Sequence, residues 1–166
     1  YFSIPAHALR EFAAGVYDAT SGLVKFRNVG WFTNLDHGRR HQKLPLMTMA
    51  DNLRFSKHKE IKGRTTYDRY ANYDAIEVPF TDAIPSDYDG AMGVPITFLD
   101  KYNPEQFEIL GSSMNLSIPM SQVAQEGTYM QGGPRFYIDN GDGSYRRMYD
   151  RIVIRHRRTS SRGENE

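Results

Sequence analysis

The segment Trp31-Phe32-Thr33-Asn34-Leu35-Asp36 runs directly into His37-Gly38-Arg39-Arg40-His41. An aromatic, strand-forming hexapeptide thus ends in a loop dense with cationic and titratable side chains. Flat rings offer stacking surface to bases, and clustered guanidinium and imidazole groups suit the regular negative charge of a phosphate backbone. The chemistry on offer is nucleic-acid contact. Trp31 and Phe32 are candidate walls for a base, although only one of two adjacent strand side chains can face a given pocket. Thr33, Asn34, His37, Arg39, Arg40 and His41 are candidate donors to phosphates or base edges. Lys101 and Tyr102, in the turn Asp100-Lys101-Tyr102-Asn103-Pro104, are weaker candidates for the same contacts. The competing structural reading is a core strand that closes in a solvated basic turn, a common pattern.

Other motifs resolve into turns. His37 and His41 have the spacing of a metal-binding pair on a helix, but Gly38 and the strand-like context oppose a helix, and no metal site is expected. Asp139-Asn140-Gly141-Asp142-Gly143 has its glycine and acidic positions out of register with a calcium loop and no closing Glu, so it reads as a hairpin turn. No Ser-His-Asp order, phosphate-binding Gly-rich loop or dinucleotide fingerprint is present.

The elements that would position these residues are mostly strands. Tyr1–Ile4 reads as a short strand and Ala6–Ala14 as a helical turn or two. Val16–Asp18 and Leu23–Arg27 form a hairpin, and Trp31–Leu35 extends it into a three-stranded meander. Met49–Phe55 reads as a short helix, Ser56–Arg64 as a lysine-rich loop, and Ala75–Val78 as a strand closed by Pro79. Val94–Leu99 and Phe107–Leu110 are strand-like runs, and Ser121–Gln125 a short helix. Arg135–Asp139 and Tyr145–Ile154 form a second hairpin. The expected class is β-rich α+β with two hairpins and few short helices.

The chain has 166 residues, 39% hydrophobic and 13% aromatic, which suits one globular domain rather than a disordered segment. A net charge of +1 hides segregation. Lys and Arg dominate residues 37–64, Asp and Glu dominate 65–110, and Arg dominates the C-terminal stretch. Two basic zones form a surface for an anionic polymer if the fold brings them together. The absence of Cys excludes disulfides, Cys-ligated zinc and thiol catalysis, and fits a cytoplasmic protein. No apolar run approaches a membrane span, and no signal peptide is visible. The chain opens on strand-like residues with no lead-in, as expected of a piece of a longer protein. Residues 1–156 are expected to form the folded part and 157–166 a polar tail.

Three blocks carry a resemblance: Val29–His37 with Arg39-Arg40-His41; Tyr70–Val78; and Tyr88-Asp89-Gly90-Ala91-Met92-Gly93-Val94-Pro95-Ile96-Thr97-Phe98-Leu99-Asp100-Lys101-Tyr102-Asn103-Pro104-Glu105-Gln106-Phe107 running on to Gly111. Together they resemble the C-terminal half of the EcoRI-like adenine-specific DNA methyltransferases. Tyr149–Arg155 resembles that family's last strand. The resemblance implies a Rossmann-like α/β catalytic fold, of which these residues supply the later strands and the DNA-facing region. It also implies methyl transfer from S-adenosylmethionine to the N6 amino group of adenine in duplex DNA, with the target base extruded, and a cognate restriction endonuclease as system partner. The family's cofactor motif and Asn-Pro-Pro-Phe loop lie upstream of the matched part. Asn103-Pro104-Glu105-Gln106 lacks the second proline and the aromatic, and reads as a turn. The cofactor site is therefore not expected in this chain, and the chain by itself is expected to be inactive. The lysine-rich stretch 56–64 fits the family pattern poorly. The rival reading is a non-catalytic nucleic-acid-binding module that uses the same basic loop; a restriction-type nuclease is more distant, because no carboxylate–Lys cluster stands out.

Overall fold

A computed structural model describes Phe2–Pro5, Gly15–Asp18, Thr20, Leu23–Phe26 and residues 38–157. The chain divides into two compact units, residues 1–36 and 37–166. In the first unit, β1 (Phe2–Pro5), β2 (Gly15–Asp18) and β3 (Leu23–Phe26) form an antiparallel sheet in the order β1-β3-β2. The expected hairpin is present, with Asp18 opposite Leu23. The expected meander is not. The second edge of β3 is taken by β1, with Phe2 opposite Phe26 and Pro5 opposite Leu23. Pro5 is tolerated there because it ends an edge strand, where its missing N–H is not needed. Ala6–Ala14 and Trp31–Leu35 lie outside the described residues.

In the second unit, Thr48 caps α1 (Met49–Phe55) by accepting a hydrogen bond from Asp51 N at 3.1 Å. The remaining elements are β4 (Ile76–Glu77), β5 (Met92–Pro95), β6 (Phe107–Ser112), α2 (Ser113–Leu116), β7 (Tyr137–Asp139), β8 (Tyr145–Arg147) and β9 (Arg151–His156). The main sheet has the order β4-β5-β9-β6. The β4–β5 pair is parallel and the other two are antiparallel. The class is thus α+β with short helices, as expected.

The sheet is covered on both faces. Alternation directs Met92, Val94 and Ile154 to one face, where they join Ile76, Val78, Phe98 and Phe107 with α1 residues Met49 and Leu53 packed alongside. Val153 faces the other way, among Tyr70, Ala75, Phe136 and Ile138. Two covered faces explain the unbroken apolar run Ile152-Val153-Ile154, in which Ile152 is half-buried and Val153 and Ile154 are buried. At Gly111 the β6–β9 register shifts and φ reaches +154°; a Cβ there would meet Leu116 at 3.0 Å.

Two further expectations need correction. Tyr145–Ile154 is not one hairpin strand. β8 pairs with β7 around the Asp139–Gly143 turn, whereas β9 leaves to lie between β5 and β6. The physical reason is the change of pattern: Arg146 and Arg147 are exposed, but 151–154 must be covered on two sides. Likewise the strand expected over Val94–Leu99 ends at Pro95, and Ile96–Lys101 winds into a 3-10 turn. That winding drops Phe98 into the core, edge-on to Phe107 with ring centroids 5.3 Å apart.

One polar network lies within the second face. Glu77 stands opposite Gly93, and Arg151 opposite Pro95, so both side chains share the face of Val153. Arg151 Nη2 donates to Glu77 Oε1 at 2.6 Å, and Nε donates to both carboxylate oxygens at 3.0 and 3.1 Å. Tyr70 Oη donates to Glu77 Oε2, and its ring stacks on Phe136 at 4.3 Å. A Cβ at Gly93 would fall 2.0 Å from Tyr70 Oη, so only glycine admits this ring. Burial alone would lower the Arg151 pKa, but the hydrogen bonds and charge of Glu77 outweigh it and hold the guanidinium charged. Burial, then the Glu77 charge, pushes the Tyr70 phenol well above its ordinary value, so it remains a donor. Replacing Arg151 by Met strands a buried carboxylate, and urea unfolding should show a loss of about 3–5 kcal/mol. The double variant Glu77→Leu/Arg151→Met should lose less than Arg151→Met alone.

Candidate nucleic-acid interface

The Gly38–His41 stretch winds into a 3-10 turn that carries Arg39, Arg40 and His41. It runs beside the Ile96–Lys101 turn, with Cα atoms within 8 Å. The fold therefore brings the turn that carries Arg39, Arg40 and His41 beside the turn that ends at Lys101, more than fifty residues on. Lys101 is exposed, whereas Tyr102 is half-buried with its ring tilted against Phe98 at 5.9 Å. Tyr102 therefore offers one edge rather than a free ring. Trp31, Phe32, Thr33, Asn34 and His37 lie outside the described residues.

The turn Asn103-Pro104-Glu105-Gln106 holds this arrangement. Asn103 is fully buried, and its Oδ1 accepts from Glu105 N at 2.8 Å. Its backbone oxygen accepts from Gln106 N and Phe107 N at 3.1 and 3.0 Å. It builds a turn, as its sequence context indicates, and is not placed to receive a target amino group. Gln106 ties down the segment that follows His41: Leu44 N donates to its Oε1 at 2.7 Å, and its Nε2 donates to Leu44 O at 3.0 Å. The side-chain amide thus mimics a strand neighbour. From the other end of the chain, Arg157 N donates to Gln106 O at 3.0 Å and Arg157 Nε to Pro104 O at 2.6 Å. The first basic zone and the C-terminal one therefore meet at a single turn. The sequence shows both zones but gives no sign that Gln106, 62 residues from Leu44, joins them.

Much of the remaining segregated charge is paired internally. Asp68 accepts from Arg64 at 2.8 and 2.5 Å and from Arg146 at 3.0 Å. Its hydrogen bonds raise the Arg64 pKa further. In the lysine-rich stretch, Ile61 enters the core, and the His58 ring stacks flat on Phe80 at 3.6 Å. Asp82 binds Lys57 Nζ and His58 Nε2, each at 2.7 Å. Partial burial would raise the Asp82 carboxyl, but the bonds from Lys57 and His58 prevail and hold it below the usual carboxylate range. The stretch is thus fixed in the fold by specific contacts. Among the described residues no cluster of His, Asp and Glu is arranged to hold a metal ion, and no helix is long and apolar enough to cross a membrane.

A family model for the adenine-specific methyltransferase EcoRI matches residues 1–157. The chain belongs to that family. It is 42% identical over 110 residues to the type II methyltransferase M.EcoRI of Escherichia coli, covering 66% of this chain and 31% of that protein. Over 138 residues it is 30% identical to the type II methyltransferase M.MpnI of Mycoplasma pneumoniae, covering 80% of this chain and 37% of the relative. A third relative, M.MgeORF184P of Mycoplasma genitalium, is 41% identical over 91 residues, 55% of this chain and 26% of the relative. The chain thus spans about a third of the length of these relatives. No solved structure matches it significantly.

Two consequences are measurable. Gln106→Leu removes both bonds to Leu44 and leaves its half-buried N–H and C=O without those partners, so chemical denaturation should report a loss of about 1–3 kcal/mol. Because the Asp82 pKa is depressed in the folded state, its stabilisation is present above the unfolded value, about 3.9, and disappears as pH falls below it. Urea midpoints measured between pH 6 and pH 3 should therefore fall less steeply for Asp82→Asn than for the unsubstituted protein.

Proposed function

We propose that this chain is the DNA-contacting, C-terminal part of a site-specific DNA methyltransferase that acts on the N6 amino group of adenine. The observation that carries the reading is the family match across residues 1–157, together with relatives named as type II methyltransferases. The methyl donor in the complete enzyme is S-adenosylmethionine, and the substrate is duplex DNA with its target adenine extruded. The mixed sheet β4-β5-β9-β6 contributes to a Rossmann-like catalytic fold. Trp31 and Phe32 line the pocket for the extruded base. Thr33, Asn34, His37, Arg39, Arg40, His41, Lys101 and Tyr102 contact the DNA. The gathering of the Gly38–His41 and Ile96–Lys101 turns supports that assignment. A cytoplasmic location and a cognate restriction endonuclease complete the reading.

The nearest motif, Asn103-Pro104-Glu105-Gln106, does not fit the reacting amino group. Asn103 is buried and its side-chain Oδ1 accepts from Glu105 N. No transfer step is assigned to this chain, and its role is to present DNA. A stand-alone binding module would also use a basic surface, but the family match favours descent from the enzyme.

The complete protein should transfer labelled methyl groups from S-adenosylmethionine to duplex DNA, and nucleoside digestion should yield N6-methyladenine. Failure to label any duplex would refute the proposal. Arg39→Ala/Arg40→Ala should make the slope of log affinity against log salt shallower by about one to two units. An unchanged slope would remove both residues from the phosphate contacts.

A further inference from the structure

A second charged surface lies at the other end of β9 from Arg157. There the 130–135 segment and the 145–150 segment enclose a groove of about 520 Å³, lined by Met130, Gly133, Arg135, Arg146, Arg147 and Tyr149 among others. Three arginines line it against one acidic residue, Asp150. Arg135 is held by Asp150 at 3.1 Å and Arg146 by Asp68 at 3.0 Å, yet both remain partly exposed. Among the described residues the Arg147 guanidinium has no hydrogen-bonding or ionic partner. It lies over Gly132, where a Cβ would come within 2.0 Å of its Nη1.

Beside these cations stand two large side chains that folding leaves outside. Tyr149 is 86% exposed and Met130 is 68% exposed. The walls that carry them are fixed. Tyr137 Oη donates to Met130 O at 2.7 Å, Tyr145 N to Thr128 O at 2.9 Å, and Met148 N to Phe136 O at 2.8 Å. A preorganised groove with excess positive charge, one unengaged guanidinium and an exposed ring matches the chemistry of a nucleic-acid backbone: Arg for phosphate, and Tyr for the adjoining sugar or base.

We propose that this groove binds the sugar–phosphate backbone of duplex DNA, with Arg147 on a phosphate and Tyr149 packed against the neighbouring nucleotide. The inference rests on the DNA-methyltransferase reading and adds a contact surface separate from the Arg39–His41 turn. Arg135 and Arg146, oriented by their carboxylates, supply the surrounding positive field, and Arg147 makes the direct contact.

The test is fluorescence anisotropy of the complete protein with a labelled 30-base-pair duplex across a salt series. Arg147→Ala should weaken binding by about tenfold or more at 0.1 M salt and make the log–log salt slope shallower by about one. Arg147→Lys should keep the slope. Tyr149→Ala should weaken binding several-fold with the slope unchanged, since the ring carries no charge; its exposure makes a folding defect from this change unexpected, and matching thermal melts will check that. If the unsubstituted protein binds the duplex and both the Arg147→Ala and Tyr149→Ala proteins bind it equally well with the same slope, the groove is not a DNA contact and the proposal falls, while the methyltransferase reading stands. If the unsubstituted protein binds no duplex at any salt, that reading fails and the groove assignment fails with it.

Discussion

The Glu77–Arg151 pair is the interaction on which the second unit depends. It joins β4 to β9 across β5, with Gly93 leaving room for the Tyr70 ring that completes the carboxylate's hydrogen bonds. An ion pair removed from water gains little net stability over a well-packed apolar pair, but an unpaired partner is heavily penalised. Its effect is therefore one of selection. Sliding β9 by one residue would turn Arg151 to the face of Phe98 and Val94, and would turn Ile152 and Ile154 toward Tyr70 and Phe136. Only the observed register, with Arg151 opposite Pro95, satisfies both the apolar faces and the buried charge.

From that anchor the functional surface follows along one strand. β9 is six residues long, about 20 Å. Its first residue is fixed by Glu77, and just beyond its last, Arg157 bonds to the Asn103–Gln106 turn. Gln106 in turn fixes Leu44, which trails the Arg39–His41 turn. The basic loop is thus positioned through Gln106, a side chain that carries no charge. This separation is physically sensible. A cation used to hold its own loop in place has its charge already engaged, whereas an amide can brace the backbone without using a charge.

The legible parts of the sequence were the local ones. The β2–β3 hairpin, α1 at Met49–Phe55, the strand at Phe107 and the Asp139–Gly143 turn each follow from composition and turn chemistry within a few residues. The illegible parts were decided by distant partners. Arg151 is 74 residues from Glu77, and nothing near Tyr149 signals that the chain must leave β8 to meet it. Ile96–Leu99 has strand-forming composition, but burial of Phe98 against Phe107 overrode it, since strand propensity is mainly a measure of fit to a surface. At the site, Arg39, Arg40, His41 and Lys101 were visible as residue types, and Gln106 was not, because an amide in a turn has no distinctive pattern until its partner is known.

The charge balance acquires a different meaning once the acids are located. A net charge of +1 suggests a poor ligand for a polyanion. Yet Asp68 sits between Arg64 and Arg146, Asp82 between Lys57 and His58, and Glu77 is buried beneath Tyr70 and Arg151. A carboxylate shared by two arginines, as at Asp68, leaves that local group positive while restricting both side chains to defined directions. Such acids lower the entropy that long basic side chains would lose on binding, and a rigid cation contributes more per contact than a free one. The acidic middle of the chain thus acts as internal bracing. Net charge understates how positive the surface is where Arg147 lies, because its neighbours Asp68 and Asp150 are already engaged with other cations.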